Sequence, residues 1–231
     1  MNLSIPKIIH QIWIGPNPEP VIWTNTIKQN YIKKYPEYQY ILWNENNINS
    51  LFDNFPIIKS IYDKTTELNG KSDILRYLIL FIHGGIYIDA DSVWLNDKNF
   101  DDLINNSCGF FAAKEPQTNI IVGGVIGSFK NNDVFKLILN HIENYVKVDG
   151  EIKLKNYVRL QNIKGISKIL GPVLFDSYAK KMNITIFPSN YFYPISWHGI
   201  VEPDYHLKNE MPRESFLFQY GYTTNNFFNK I

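Results

Sequence analysis

Residues 84–91 read Gly-Gly-Ile-Tyr-Ile-Asp-Ala-Asp: a glycine pair, a short apolar run, and two carboxylates one residue apart. The residues before them, 73–83, are expected to form a buried helix. Ser72 is its candidate N-cap, Asp73 lies near the positive end of its dipole, and Gly84-Gly85 ends it. Ile86-Tyr87-Ile88 is then a strand apolar enough to lie centrally in a sheet. This order constrains the fold more than any other feature. The chain leaves the carboxyl end of a buried strand directly into Asp89-Ala90-Asp91, and in open α/β sheets that edge is where ligand crevices form. An ionised pair there needs a cation or hydrogen bonds to offset its desolvation.

The flanking sequence agrees with a mixed α/β layout. Residues 7–14 (KIIHQIWI) and 38–43 (YQYILW) read as strands, and residues 21–34, with apolar positions near helical spacing, as a helix between them. Such a β-α-β unit generates a parallel pair with a helix over one face. Short helices are expected at 46–52 and 57–67, strands at 109–113, 120–129 and 184–187, and helices at 134–146 and 172–182. Residues 147–168 carry the least pattern and are the candidate acceptor contact. No repeat and no linker composition divides the 231 residues, and 45% hydrophobic content is ample for one core.

Net charge is +1 with acids and bases interspersed, which argues against a nucleic-acid partner. A single cysteine, Cys108, excludes an internal disulfide framework and fits a reducing compartment. The opening residues lack a basic segment followed by a long apolar stretch, and the run around Ile74 to Ile82 contains Arg76, so neither a signal peptide nor a transmembrane span is expected. The expected location is cytoplasmic or peripheral to a membrane.

The chemistry of Asp89 and Asp91 follows from their hardness as ligands. Carboxylate oxygens suit Mn²⁺ or Mg²⁺, cations that commonly take one or two protein carboxylates and complete their shell with substrate phosphates. A cation so held neutralises charge developing on a departing diphosphate, and no protein nucleophile is needed.

Ser72-Asp73-Ile74-Leu75-Arg76-Tyr77, followed by Gly84 to Asp91, resembles the signature of glycosyltransferases with a DXD sugar-binding region. That family spans the yeast initiating α-1,6-mannosyltransferase, capsular-polysaccharide sugar transferases and, more distantly, the glucosylating domains of large clostridial toxins. Residues 5–15 (IPKIIHQIWIG) and Tyr40-Ile41-Leu42-Trp43 are similar to the family's first two strands, and Gly171-Pro172 to a later element. The resemblance covers about the first 95 residues. It implies a GT-A type nucleotide-diphosphosugar transferase fold with a mixed, mainly parallel sheet flanked by helices. The whole chain would be one domain, with residues 1–95 as the nucleotide-sugar half and 96–231 as the acceptor side.

The activity implied is metal-dependent transfer of a hexose, with retention of configuration, from a UDP- or GDP-sugar to a hydroxyl of a glycan, lipid or protein. The roles implied are metal ligation by Asp91, with Asp89 on the metal or on the donor ribose and sugar. Asp73 and Arg76 would hold donor sugar and phosphate. Tyr87 would line the pocket, and Trp13 would stack on the base. Other readings of the same residues are an Arg76–Asp73 structural bridge and core roles for Trp13 and Tyr87. His10, alternating with apolar residues, reads as a satisfied core histidine.

Two departures from the family pattern stand out. A C-terminal His-Trp-x-x-Ser-Trp-like segment is replaced by Phe218-Gln219-Tyr220-Gly221-Tyr222-Thr223-Thr224-Asn225-Asn226. Gln219, Asn225 or Asn226 is left to offer an amide oxygen, and Asn225 is the candidate third metal ligand. At Val122-Gly123-Gly124-Val125, glycines stand where many relatives place an asparagine. A weakened sugar-nucleotide or glycan-binding module is therefore the alternative, followed by a metal-dependent phosphohydrolase.

Overall fold

The computed structural model describes residues 4–95, 98–146, 170–196, 200, 202–223 and 225–227. The candidate acceptor segment 147–168 falls outside the described residues.

The strands, in chain order, are β1 (Ile8–Ile12), β2 (Gln39–Trp43), β3 (Gly85–Ile88), β4 (Ser92–Trp94), β5 (Phe110–Lys114), β6 (Ile121–Ser128), β7 (Thr185–Phe187) and β8 (Leu217–Gln219). A six-stranded sheet in the order β2-β1-β3-β6-β5-β7 carries the fold. β1 runs parallel to β2 and β3, and β7 parallel to β5, whereas β6 is antiparallel to both its neighbours. The sheet is thus mixed, and it is continuous across residue 95, with β6 inserted between β3 and β5. A two-stranded antiparallel sheet of β4 and β8 stands beside it.

Strand alternation sorts the core into two layers. Tyr87, Phe110, Ala112 and Ile126 face a cluster built with the helices Leu68–His83, Asp133–Val146 and Pro172–Ala179. Ile86, Ile88, Phe111, Ala113 and Val125 face the other way, against Ile27, Tyr31, Phe192 and Tyr193. A third cluster, centred on Trp23 with Phe218, Tyr220, Tyr222 and Phe227, fastens the C-terminal residues to the first helical segment. Among the described residues no helix is long and apolar enough to cross a membrane.

One helix boundary corrects the sequence expectation. The helix before β3 begins at Leu68, not at Asp73, with Glu67 at the N-cap position and no side-chain cap. Asn69 and Gly70 are weak helix formers and hid the first turn. Gly70 is set by packing, since a Cβ there would lie 3.2 Å from Thr65 Cγ2. Ser72 is therefore inside the helix, and Asp73 meets a side-chain partner rather than a dipole end. The helix expected at 46–52 is only a 3₁₀ turn, Asn49–Phe52. The helix expected at 21–34 is continuous but passes through a π-helical stretch at Thr26–Tyr31.

β5 and β6 approach unusually closely at Gly127, where an added Cβ would lie 2.0 Å from Phe111 Cε1. Gly127→Ala must displace a fully buried ring. It is expected to cost about 3 kcal/mol through overpacking, which lowers the melting temperature by about 6–12 °C for a chain of this size. A circular-dichroism melt within about 1 °C of the parent would show that the ring moves aside freely.

Candidate active site

β3 ends at Ile88, and the chain turns at once. The turn is held from several sides. Asp89 N–H donates to Gly124 O (2.9 Å), Asp89 O accepts from Ser92 N–H (3.0 Å) and Gln11 Nε2 (3.2 Å), and Asp91 O accepts from Tyr220 N–H (2.9 Å). With its backbone fixed, the turn projects both carboxylates into a cleft of about 700 Å³.

Asp89 is held by both cores. Its Oδ1 accepts from Tyr87 OH (2.7 Å) and from Arg76 Nη2 (3.1 Å), and its Oδ2 from Gln219 Nε2 (2.8 Å). Arg76 sits on the face of helix Leu68–His83 that meets β3. Nη1 pairs with Asp73 Oδ1 at 2.5 Å, and the guanidinium carbon lies 4.6 Å from the centre of the Tyr87 ring. The pair is an i, i+3 bridge, and through Nη2 the same guanidinium also reaches Asp89. Burial raises the Asp73 carboxyl to about 6 against the lowering effect of Arg76, while Arg76 itself stays charged.

Asp91 lies two residues on, within reach of the same Gln219 amide. Oδ2 accepts the Tyr222 backbone N–H at 2.7 Å, and Oδ1 lies 3.4 Å from Gln219 Nε2. Burial first, and the neighbouring Asp89 second, push the Asp91 carboxyl up to about 7, although the Tyr222 N–H pulls the other way.

The donor set fits a hard divalent ion. Two carboxylates share one amide, Gln219, that spans them. Turning that amide about its last torsion presents Oε1 in place of Nε2. Among the described residues no group of three His, Cys, Asp or Glu side chains is gathered, and the groups that could ligate a cation here are two carboxylates and an amide. That leaves positions for substrate phosphates, the arrangement Mn²⁺ and Mg²⁺ accept.

Of the residues singled out in the sequence, Trp13, Asp73, Arg76, Tyr87, Asp89 and Asp91 all line this cleft. Trp13 is half-buried, its Nε1 donates to Asn17 O, and the Tyr222 ring meets it edge-on at 5.0 Å. Asn225 is not among the lining residues. Its Nδ2 donates to Tyr220 O (2.7 Å), and Gln219 takes the position at the carboxylates instead. His10 is fully buried. It accepts from Trp43 Nε1 at Nδ1, and its Nε2 donates to Gly84 O at 2.9 Å, the neutral tautomer that its lowered titration, to about 3, requires.

Several contributors carried no functional meaning in the sequence. Gly123 and Gly124, visible there only as a departure from the family, are needed because a Cβ at either would lie 2.8 Å from Arg76 Nη1 or 2.9 Å from Gln219 Oε1 and Tyr193 OH. Two glycines inside an apolar strand are the usual mark of such close approach. Tyr222 and Tyr193 offered no local signal.

The family model described as the glycosyltransferase sugar-binding region containing the DXD motif matches residues 20–110. An uncharacterized glycosyltransferase of Acanthamoeba polyphaga mimivirus is 32% identical over 212 residues, covering 84% of this chain and 75% of the relative. Inositol phosphoceramide mannosyltransferase 2 of Schizosaccharomyces pombe is 31% identical over 146 residues, 62% of this chain and 40% of that enzyme, so less than half of the longer protein is matched. Among solved structures, the ligand-free glycosyltransferase domain of the YGT toxin superposes with a TM-score of 0.55 at 12% identity, each chain being covered to 80%.

Proposed function

Because the chain belongs to the glycosyltransferases whose sugar-binding region contains a DXD motif, and has their GT-A fold, we propose that it is a metal-dependent, retaining hexosyltransferase using a nucleotide diphosphate sugar. The observation that carries this reading is the convergence of Asp89, Asp91 and Gln219 in one cleft that Arg76, paired with Asp89, also lines. A divalent cation bound there supplies charge neutralisation for the leaving diphosphate.

The chain's own groups divide the remaining work. Asp89 and Asp91 would hold the cation, and the Arg76 guanidinium, buried and paired beside Asp89, lines the same cleft where the donor phosphate would lie. Asp73, tied to Arg76, is placed to accept a sugar hydroxyl. Trp13, at the end of β1, offers a ring to the base. None of these carboxylates is presented as a nucleophile: Asp73 is engaged by Arg76, Asp89 by Arg76, Tyr87 and Gln219, and Asp91 by Tyr222 N–H. Front-face displacement suits that arrangement. The bond from the anomeric carbon to the phosphate oxygen breaks as the acceptor oxygen bonds on the same face, and the departing phosphate takes the acceptor proton.

The test is a donor-hydrolysis screen with Mn²⁺, using UDP-glucose, UDP-galactose, UDP-N-acetylglucosamine and GDP-mannose and detecting the free nucleotide diphosphate. The fission-yeast relative is named for mannosyl transfer, so GDP-mannose heads the panel. Release of orthophosphate instead of intact diphosphate would replace the transferase with a phosphohydrolase, and tight donor binding without turnover would leave a binding module. The anomeric configuration of the product, read by proton NMR, decides retention.

Metal binding should depend on pH with a definite sign. The Asp91 carboxyl keeps its proton to about 7 in the folded protein, above its ordinary value of 3.8. A cation must displace that proton, so affinity for Mn²⁺ is expected to rise roughly tenfold per pH unit below 7 and to level off above. The cation-free protein should show the complementary trend. Its folded state binds the extra proton between 3.8 and 7, so stability is greatest at the acid end of that window and falls as pH rises through it. Calorimetric titrations at pH 6, 7 and 8 check the first trend. A flat affinity would place the cation elsewhere.

A further inference from the structure

We propose that Gln11 and Tyr40 form a positioning relay for the metal-binding turn, acting through the Asp89 main chain; this rests on the reading of Asp89 and Asp91 as the cation ligands. Gln11 lies on β1, on the face that also carries Ile9 and Trp13. It is completely buried, an unusual place for a carboxamide in an otherwise apolar strand. Both ends of its side chain are used. Nε2 donates to Asp89 O at 3.2 Å, and Oε1 accepts from Tyr40 OH at 2.8 Å.

The chemistry of the partners fixes which end faces the turn. A carbonyl only accepts, so the amide nitrogen must face Asp89, and the Tyr40 hydroxyl, donating to Oε1, locks the amide in that sense. Tyr40 is on β2, paired in register with β1, so the relay crosses from the second strand through the first to the loop after the third. It ties the turn to the rigid part of the sheet on the side opposite Gly124, whose carbonyl holds Asp89 N–H. The Asp89 peptide is thereby clamped from β1 on its carbonyl and from β6 on its amide. With the peptide so held, the carboxylate is directed to where Oδ1 meets Arg76 and Tyr87 and Oδ2 meets Gln219.

Gln11→Glu keeps shape and volume but sets an acceptor against the Asp89 carbonyl and adds a charge near two carboxylates. Gln11→Met keeps most of the volume and removes the donor. Tyr40→Phe leaves Gln11 in place and frees its amide to turn. Three readouts are needed: the Mn²⁺ dissociation constant from electron paramagnetic resonance, the melting temperature, and backbone hydrogen exchange across residues 89–92.

Positioning predicts that Gln11→Glu weakens Mn²⁺ binding by about thirtyfold or more and that Gln11→Met and Tyr40→Phe weaken it by about three- to tenfold, the span expected for lost or inverted hydrogen bonds. Exchange at 89–92 should accelerate in all three, while Tyr40→Phe, which leaves the buried Gln11 oxygen without its donor, melts about 2–12 °C below the parent. A packing role alone predicts lower melting temperatures with metal affinity and turn exchange unchanged, and that result would overturn the relay. If the parent binds no Mn²⁺ and hydrolyses no donor, the assignment of function fails. The relay is then decided by the exchange data alone, and unchanged exchange in Gln11→Met refutes it.

Discussion

Asp91→Asn is expected to lower donor turnover at least about a thousandfold while leaving the protein as stable as the parent, or more so. The size of the first effect follows from the role proposed for the carboxylate. Removing one of two protein anions from a hard cation loses several kcal/mol of leaving-group stabilisation, and about 4 kcal/mol corresponds to a factor near a thousand. The second effect follows from the burial that pushes the Asp91 carboxyl up to about 7. The ionised acid is disfavoured in this site when no cation is present, so a neutral isostere relieves that penalty. The carboxamide of the substituted side chain can still accept the Tyr222 N–H through its own carbonyl oxygen. Paired measurements check it: nucleotide release, and melting temperature at pH 8 with and without Mn²⁺. The parent should gain stability on adding metal, by about 2.7 kcal/mol at a hundredfold excess over its dissociation constant, and the variant should not. An inactive variant that also melts well below the parent would recast Asp91 as a structural residue.

Arg76→Met should damage the fold as well as the chemistry. Arg76 is 7% exposed and joins two carboxylates, those of Asp73 and Asp89, that otherwise face each other with little water. Removing only the cation leaves uncompensated buried charge, for which about 3–5 kcal/mol is typical, or about 6–20 °C in melting temperature for a chain of this length. The loss should shrink toward pH 5, where Asp73, already raised to about 6, takes up a proton. Arg76→Lys separates the two roles. It restores a charge and part of the stability. A single ammonium, however, cannot reproduce the fork that reaches Asp73 through Nη1 and Asp89 through Nη2. The donor KM should then stay raised about tenfold or more. A fully active, parent-like Arg76→Lys would show that only charge matters here.

The part of the site legible in the sequence is the part made by neighbours in the chain. Asp73 and Arg76 share a helix face, Gly84 and Gly85 turn the chain at φ values of 67° and 94°, and β3 delivers Asp89 and Asp91. Each step has a local cause, so the strand, the turn and the carboxylate pair could be read from the residues, while the roles of Asp73 and Arg76 came from the family resemblance. Gln219 and Tyr222 reach the same carboxylates from 130 and 131 residues away, through a strand, β8, of only three residues. Nothing local distinguishes such a strand from a loop. Gln11 lay in plain view, as a carboxamide in an apolar strand, yet its meaning depends on β1 lying beside β3. The start of the helix at Leu68 was hidden for the opposite reason: local propensity was poor, and tertiary packing around Gly70 overrode it.

The pairing of β4 with β8 has a consequence for biosynthesis. Asp91 leads directly into β4, and both the main-chain contact to its carbonyl and the one to its carboxylate come from residues 220 and 222. A nascent chain that has released the first half of the sheet from the ribosome can already form the Asp73–Arg76–Asp89 cluster. It has no means of fixing Asp91 until residues 217–222 emerge. On the proposed role of Asp91, competence to hold a cation is therefore acquired only once residues 217–222 have emerged, and ribosome-bound intermediates that expose nothing beyond residue 216 should form the Asp73–Arg76–Asp89 cluster yet bind no Mn²⁺.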